Sequence, residues 1–320
     1  MRVYWIAAAM ALMGLLSSVG CNSYARLTVQ RNFLQPSPYY KVADKPAPAD
    51  WDPGTITATW IGHCTVLINF HGTTILTDPV LAKRLGLNLF GHYNIGIRRT
   101  SEAALEFPEL PRIDLVLLSH AHRDHWDMAT LKYFGAETTV IVPENTTDLV
   151  PKGHFGRVTE LAWGQETQLG GLTVRAFRTN HWGARDPNES IQRGYNGYVI
   201  EGHGRRVVFV GDTADMPDFA QRVGPGPVEL CILPIGGYNP YIHNHCSPEQ
   251  AWEMFRKIGA DALLATHWRT FIVSAEPVLE PMERLLAAAG NDARFVVCQA
   301  PGQTFAAPNL NDCCAPPPNR

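Results

Sequence analysis

The chain has 320 residues, 45% of them hydrophobic and 18% charged, enough to bury a substantial core in one large domain with at most a small appendage. Its formal net charge is −3 and it carries no long basic run. A nucleic-acid binder neutralises phosphates with clustered Lys and Arg, so DNA and RNA are set aside as binding partners, although a phosphodiester stays open as a substrate.

Residues 1–21 have a composition of their own: Arg2 is positive, Val3 to Leu16 is almost wholly apolar, and Ser17-Ser18-Val19-Gly20-Cys21 is small and ends in cysteine. This reads as an export signal. Its apolar run falls short of the roughly 20 residues that cross a bilayer. Gly20-Cys21 after Leu15-Leu16 resembles a bacterial lipoprotein signal, in which the cysteine becomes the lipidated first residue, although Ser18 stands where a larger aliphatic residue is usual. The expected location is the bacterial cell envelope, on the periplasmic face, held to the membrane by the lipid; an ordinary cleaved signal and a retained anchor are the alternatives. Residues 22–54 contain Pro36, Pro38, Pro46, Pro48 and Pro53 and few aliphatics, as an extended tether does.

The folded domain is expected over residues 55–304. Thr55 to Trp60, Cys64 to Phe70 and Thr73 to Thr77 are short and rich in β-branched residues, the last two joined at His71-Gly72 as a hairpin. Ile113 to Leu118, Thr138 to Val142, Leu172 to Phe177, Tyr195 to Glu201, Arg206 to Val210, Glu229 to Leu233 and Ala262 to Thr266 are further buried-strand patterns. Ser247-Pro248-Glu249-Gln250 starts a helix with a cap, a proline at its first position and Gln at its third, and Ala251, Met254, Phe255 and Ile258 follow at helical spacing. Asp127 to Phe134, Asp215 to Arg222 and Glu280 to Ala289 are the other predicted helices. Strands gather early and helices intervene later, which two sheets packed face to face with helices outside would satisfy, as would another α/β layering. The cysteines show no C-x-x-C pair; Cys64, Cys231 and Cys298 lie in apolar runs and read as small buried hydrophobes. Residues 305–320, with Cys313 and Cys314, read as a disordered tail.

The strand ending at Leu118 runs straight into Ser119-His120-Ala121-His122-Arg123-Asp124-His125. So many ionisable groups at a strand end are costly to bury without a cation, and imidazole with carboxylate is a common ligand set for zinc and other first-row divalent metals. His181, Asp212 and His267 also stand just past predicted strands. Each alone reads equally well as a structural histidine or a Gly-Asp turn. With the H-x-H-x-D-H run they supply a further ligand for each of two metals and a carboxylate able to bridge both.

Trp60-Ile61-Gly62-His63, Thr77-Asp78-Pro79, the H-x-H-x-D-H run, His181, Gly211-Asp212-Thr213 and His267 together resemble the metallo-β-lactamase superfamily over about Thr55 to Gln299. Leu233 to Pro240, Ser247 to Ala251 and Thr266-His267-Trp268 are most similar to its N-acyl-phosphatidylethanolamine-hydrolysing phospholipase D branch. The resemblance implies an αβ/βα sandwich of two mixed β-sheets flanked by helices. It implies two divalent ions, usually zinc, with iron or manganese as alternatives. His120, His122 and His181 would hold one, Asp124, His125 and His267 the other, and Asp212 would bridge them, with a hydroxide between the metals as nucleophile. Asp212, His245 and Asp124 are then the catalytic residues, His245 matching a histidine that donates to the phosphoryl oxygen or leaving group. A surface loop residue is the equal alternative for His245. His63 and Asp78 would brace or orient ligands. Trp182, Tyr238, Tyr241 and Trp268 could wall the cleft or pack in the core, and Leu81 to Arg99, with Leu85, Leu87, Leu89, Phe90 and Tyr93, could meet acyl chains or membrane or pack on the core.

The expected activity is metal-dependent hydrolysis of a phospholipid phosphodiester. A lactonase or phosphosugar hydrolase with the same metals is the enzymatic rival, and an envelope lipoprotein that binds metal without catalysis is the other.

Overall fold

The computed structural model describes residues 38–89, 93–186 and 188–308. The expected signal, residues 22–37 of the tether, Phe90, and the tail from residue 309 with Cys313 and Cys314 lie outside them. No helix among the described residues is long and apolar enough to cross a membrane.

In chain order, β1 (Ile56–Gly62), β2 (Thr65–Phe70) and β3 (Thr73–Thr77) form an antiparallel meander, and β4 (Arg84–Leu89) and β5 (Tyr93–Arg98) a separate hairpin. β6 (Leu115–Leu117), the single-turn α1 (Met128–Leu131), β7 (Thr139–Pro143) and β8 (Arg157–Leu161) follow. β9 (Glu166–Leu169), β10 (Leu172–Arg178), β11 (Asn196–Gly202) and β12 (Arg205–Phe209) form a second antiparallel run. After these come α2 (Phe219–Val223), β13 (Leu230–Pro234), α3 (Tyr238–Tyr241), α4 (Pro248–Ile258), β14 (Leu263–Thr266), α5 (Glu280–Ala289), β15 (Val296–Val297) and β16 (Thr304–Ala306).

Two seven-stranded mixed sheets result, ordered β16-β1-β2-β3-β6-β7-β8 and β15-β14-β13-β12-β11-β10-β9. Each changes once from antiparallel to parallel pairing, at β3 in the first and at β12 in the second. This is the αβ/βα sandwich. Ligand crevices in such sheets form beyond the carboxyl ends of the strands, and here His120, Asp78, His181, Asp212 and His267 all stand just past the ends of β6, β3, β10, β12 and β14.

The apolar runs are continuous because both faces of the first sheet are covered. Ile56, Ala58 and Trp60 of β1, Val66 and Ile68 of β2 and Leu115 and Leu117 of β6 enter the core between the sheets. Their neighbours Ile61, Leu67 and Val116 face a second cluster with Trp126 and Phe134, the alternation a pleated strand imposes. On the second sheet Trp252 and Phe255 of α4 and Met282 and Leu285 of α5 join the main core. Ser247 caps α4 as expected, accepting from Gln250 N–H while the Gln250 side chain accepts from Ser247 N–H.

Several boundaries move. The helix expected from Asp215 starts only at Phe219, because Pro217 disfavours helical backbone at Met216. The helix expected over Asp127 to Phe134 is one turn, capped by Asp127. The body extends past residue 304, since β16 supplies the edge strand beside β1. Within the expected tether, Val42 and Trp51 pack on the body. Cys64, Cys231, Cys246 and Cys298 are free thiols and buried.

Deleting core volume and deleting a cap should differ in scale. Ile68→Ala, in the middle of the inter-sheet core, is expected to cost about 2–5 kcal/mol, and Ser247→Ala about 1 kcal/mol; urea denaturation measures both, and equal losses would show that the inter-sheet packing is not what the structure portrays.

Candidate metal centre

Asp212, which directly follows Gly211 at the end of β12, is the centre of the site. Gly211 has φ 67°, and a Cβ there would lie 2.4 Å from the Ser119 side chain, so only glycine lets the two strand ends approach this closely. The Asp212 side chain is 1% exposed, and its Oδ2 lies 3.1 Å from His125 Nε2, 3.2 Å from His267 Nε2 and 3.8 Å from His120 Nε2 and His181 Nε2. His245 Nδ1 is 3.7 Å from the same oxygen.

The remaining ligand atoms fall into two groups around it. In one, His122 Nδ1 lies 2.8 Å from His120 Nε2 and 3.2 Å from His181 Nε2. In the other, Asp124 Oδ2 lies 3.4 Å from His267 Nε2 and 3.8 Å from His125 Nε2. Within His120, His122, His181 and Asp212, and again within His63, Asp124, His125 and His267, the ligand atoms are all within 4.8 Å of one another. The structure thus brings all seven expected ligands together.

The partners of the other ring nitrogens fix how the histidines face. His125 Nδ1–H donates to Asp78 Oδ2 at 2.6 Å, and His181 Nδ1–H to the Asn244 carbonyl at 2.9 Å. Ser119 Oγ–H donates to Asp78 Oδ2 at 2.5 Å and accepts from His120 Nδ1–H at 2.9 Å. These contacts leave Nε2 of all three rings facing the centre. Asp78 is fully buried and also accepts from Ser119 N–H at 2.7 Å. One carboxylate therefore orients His125 directly and His120 through Ser119, one ligand in each group.

His125 Nε2, His267 Nε2 and Asp212 Oδ1 are buried and have no hydrogen-bond partner. Nitrogens and carboxylate oxygens that crowd together without bonding to each other are the arrangement of ligands directed at a shared cation. Burial pushes His120 well below the ordinary imidazole range, with His125 adding to the effect, and pushes His122 down to about 3, with His181 adding to it. Both are neutral, as metal ligation requires. Burial resists charge on Asp124 and Asp212 as well, but the facing His125 outweighs it and holds both carboxylates well below their ordinary range. Burial opposes charge on His125 and His267 too, but Asp212 holds both well above the ordinary imidazole range, where the charge of a divalent metal would stand in its place. With ionised carboxylates and neutral His120 and His122 the set fits a divalent metal site.

Around this centre the backbone is strained where the residues are functional. His63, Asp78 and His267 have φ of 55°, 32° and 62°, a region side-chain-bearing residues rarely enter. His63 braces the cluster, with Nε2 3.1 Å from Asp124 Oδ2 and its ring 4.3 Å from that of His267. Gly236 and Gly237 thread between neighbours: Cβ atoms there would lie 2.2 Å from His267 O and 2.7 Å from His245 Nδ1. Of the expected cleft aromatics, Trp182 meets the His122 ring edge-on at 4.2 Å and is 42% exposed, which puts it at the mouth. Trp268 instead stacks on Trp60 in the core, and Tyr238 is buried with its hydroxyl on Glu280. His243 is exposed on the loop that carries His245.

Sequence reasoning missed Arg185, whose guanidinium donates to the Ala121 and Trp126 carbonyls at 2.9 and 2.8 Å and clamps the metal loop from its rear. No local pattern marks it. Ser119 was legible only as part of the motif, and its relay between Asp78 and His120 joins residues distant in the chain.

Such a sandwich with clustered His and Asp ligands at its strand ends is that of a metal-dependent hydrolase. The family model for the β-lactamase superfamily domain matches residues 73–268, and the chain belongs to that family. A protein of Mycobacterium tuberculosis whose function is uncharacterised is 31% identical over 79% of this chain and 69% of its own length. The N-acyl-phosphatidylethanolamine-hydrolyzing phospholipase D 1 of Caenorhabditis elegans is 29% identical over 71% of this chain and 68% of its own. A solved metallo hydrolase from the archaeon Ignicoccus hospitalis shares the fold, with a TM-score of 0.58 at 20% identity, covering 80% of this chain and 99% of that one.

Asp78→Asn keeps the volume but removes the acceptor that orients two ligands. It is expected to weaken metal affinity about 10–100-fold, read by competition with a chromogenic chelator; wild-type affinity would show that Asp78 does not orient the ligands.

Proposed function

We propose that the chain hydrolyses a phosphodiester bond of a phospholipid, as a phospholipase D does, with two zinc ions, at the envelope membrane to which its N-terminal lipid holds it. The observation that carries the chemistry is the single buried oxygen of Asp212 set among four ligand imidazoles, between two groups of ligands. The substrate class is supported by similarity to the nematode phospholipase D. Mixed imidazole and carboxylate ligands suit zinc, with iron or manganese as the alternatives.

His120, His122 and His181 would hold one ion, Asp124, His125 and His267 the other, and Asp212 would touch both. When bound, such ions polarise a phosphoryl oxygen and lower the pKa of a water to about 7. The protein supplies position and charge balance. Asp78, Ser119 and the Asn244 carbonyl hold the rings in place, and Arg185 holds the loop that carries four of the ligands. Asp124, whose side chain is 20% exposed, and Trp182 mark the side from which a diester reaches the centre. His245 has a neutral role: burial pushes its imidazole well below the ordinary range although Asp212 pulls the other way. It can therefore donate an N–H to a phosphoryl or leaving-group oxygen but is not a standing cation.

The test is turnover of bis(p-nitrophenyl) phosphate, a simple lactone and phosphatidylethanolamine by the full chain in detergent, with metal content measured alongside. Both phosphodiesters should be hydrolysed, Asp212→Ala should lose metal and turnover together, and His245→Ala should lower kcat about 10²–10³-fold with metal retained. Turnover of the lactone alone would move the chain to the lactonase class.

A further inference from the structure

The β4–β5 hairpin belongs to neither large sheet; its strands pair only with each other. A two-stranded ribbon is marginally stable alone, and this one is pinned at its base, where Leu85 and Ile97 pack with Val80 and Phe271. Farther along, the register pairs Leu87 with Ile95 and Leu89 with Tyr93, so by sequence the outer half is as apolar as the docked base. Among the described residues nothing else forms a sheet with it.

The base of the hairpin is basic. Arg84 stands directly opposite Arg98, and like charges in that position repel. Lys83 and Arg98 are exposed, as is Lys41 on the neighbouring segment. That segment is bound beside the hairpin: Tyr40 N–H donates to the Thr100 carbonyl at 2.8 Å, the Tyr40 carbonyl accepts from Glu102 N–H at 3.0 Å, and the Arg98 guanidinium lies 6.0 Å over the Tyr39 ring, which is 54% exposed. No carboxylate pairs with Lys41, Lys83 or Arg84 among the described residues. In sequence this segment is preceded by the chain's apolar run Val3 to Leu16 and by Cys21.

We propose that the β4–β5 hairpin and the adjoining Tyr39–Lys41 segment are a docking surface for an anionic lipid bilayer. The basic base meets the headgroups, since anionic lipid attracts Lys and Arg held near its surface. Exposed tyrosine is a residue of the polar–apolar boundary, and the apolar outer half has the composition of an element that enters it. A second copy of the chain fits less well, because two identical basic patches would be brought together. The face is also close to the metal centre: Phe271, which packs on the hairpin base, meets the His63 ring edge-on at 5.3 Å. Docking does not depend on which bond the centre cleaves.

The test is hydrogen exchange of the full chain in nanodiscs of phosphatidylcholine alone and of phosphatidylcholine with phosphatidylglycerol, a readout free of any hydrolysis. The amides of β4 and β5 should exchange more slowly in the anionic discs. Arg84→Glu with Arg98→Glu should lose that difference while β1–β3 exchange as before. Lys41→Glu with Lys83→Glu, both at exposed positions, should lose it too and guards against a folding defect in the first pair. Equal exchange in both kinds of disc would overturn the proposal, as would slowing in detergent that tracks protein concentration, the mark of a second copy.

Discussion

A carboxylate with both oxygens out of water is tolerable only where positive charge is brought to it, and Asp212 is such a group. Its surroundings are imidazoles, most of them kept neutral by burial, and a second carboxylate, Asp124, stands nearby. Burial opposes charge on His125 and His267, yet Asp212 holds both imidazoles well above their ordinary range, so positive charge is drawn to the place where divalent cations would supply it. This demand explains why the structure tolerates left-handed backbone at His63, Asp78 and His267, and why glycine stands where Gly211, Gly236 and Gly237 approach other groups.

The fold meets that demand by arranging strand ends. Both sheets switch from antiparallel to parallel pairing, and the ligands follow strands at or near the two switches. The inter-sheet core holds those ends in register, with Trp60 of the first sheet stacked on Trp268 of the second directly beside His267. Orientation comes from hydrogen-bond partners: Asp78 through Ser119, the Asn244 carbonyl, and Arg185 behind the loop. A ligand set placed by rigid strand ends and locked by buried hydrogen bonds is preorganised for a dication.

Much of this was legible in the sequence because it is local. A hydrophobic strand that breaks into H-x-H-x-D-H has few structural explanations, and the Ser-Pro-Glu-Gln helix start specifies its own geometry. Continuous apolar runs revealed the strands buried on both faces. What stayed hidden is polar or distant. β8, whose Arg157 and Val158 are exposed, and β9 have no apolar period, and β15 and β16 are too short to show one. Proline at 217 was a readable stop that the periodic reading passed over. Arg185 and the Asp78–Ser119–His120 relay join residues far apart in the chain, and no spacing rule finds such contacts. The hairpin was visible as an apolar insertion, but its isolation from both sheets and its basic base emerged only from strand pairing.

The central claim is that Asp212 joins two cation sites, and anomalous diffraction from crystals of the zinc-loaded protein tests it most directly. Two zinc atoms are expected, one held by His120, His122 and His181, the other by Asp124, His125 and His267, with an Asp212 oxygen on both. A single zinc atom, or two that leave Asp212 unligated, would contradict the account.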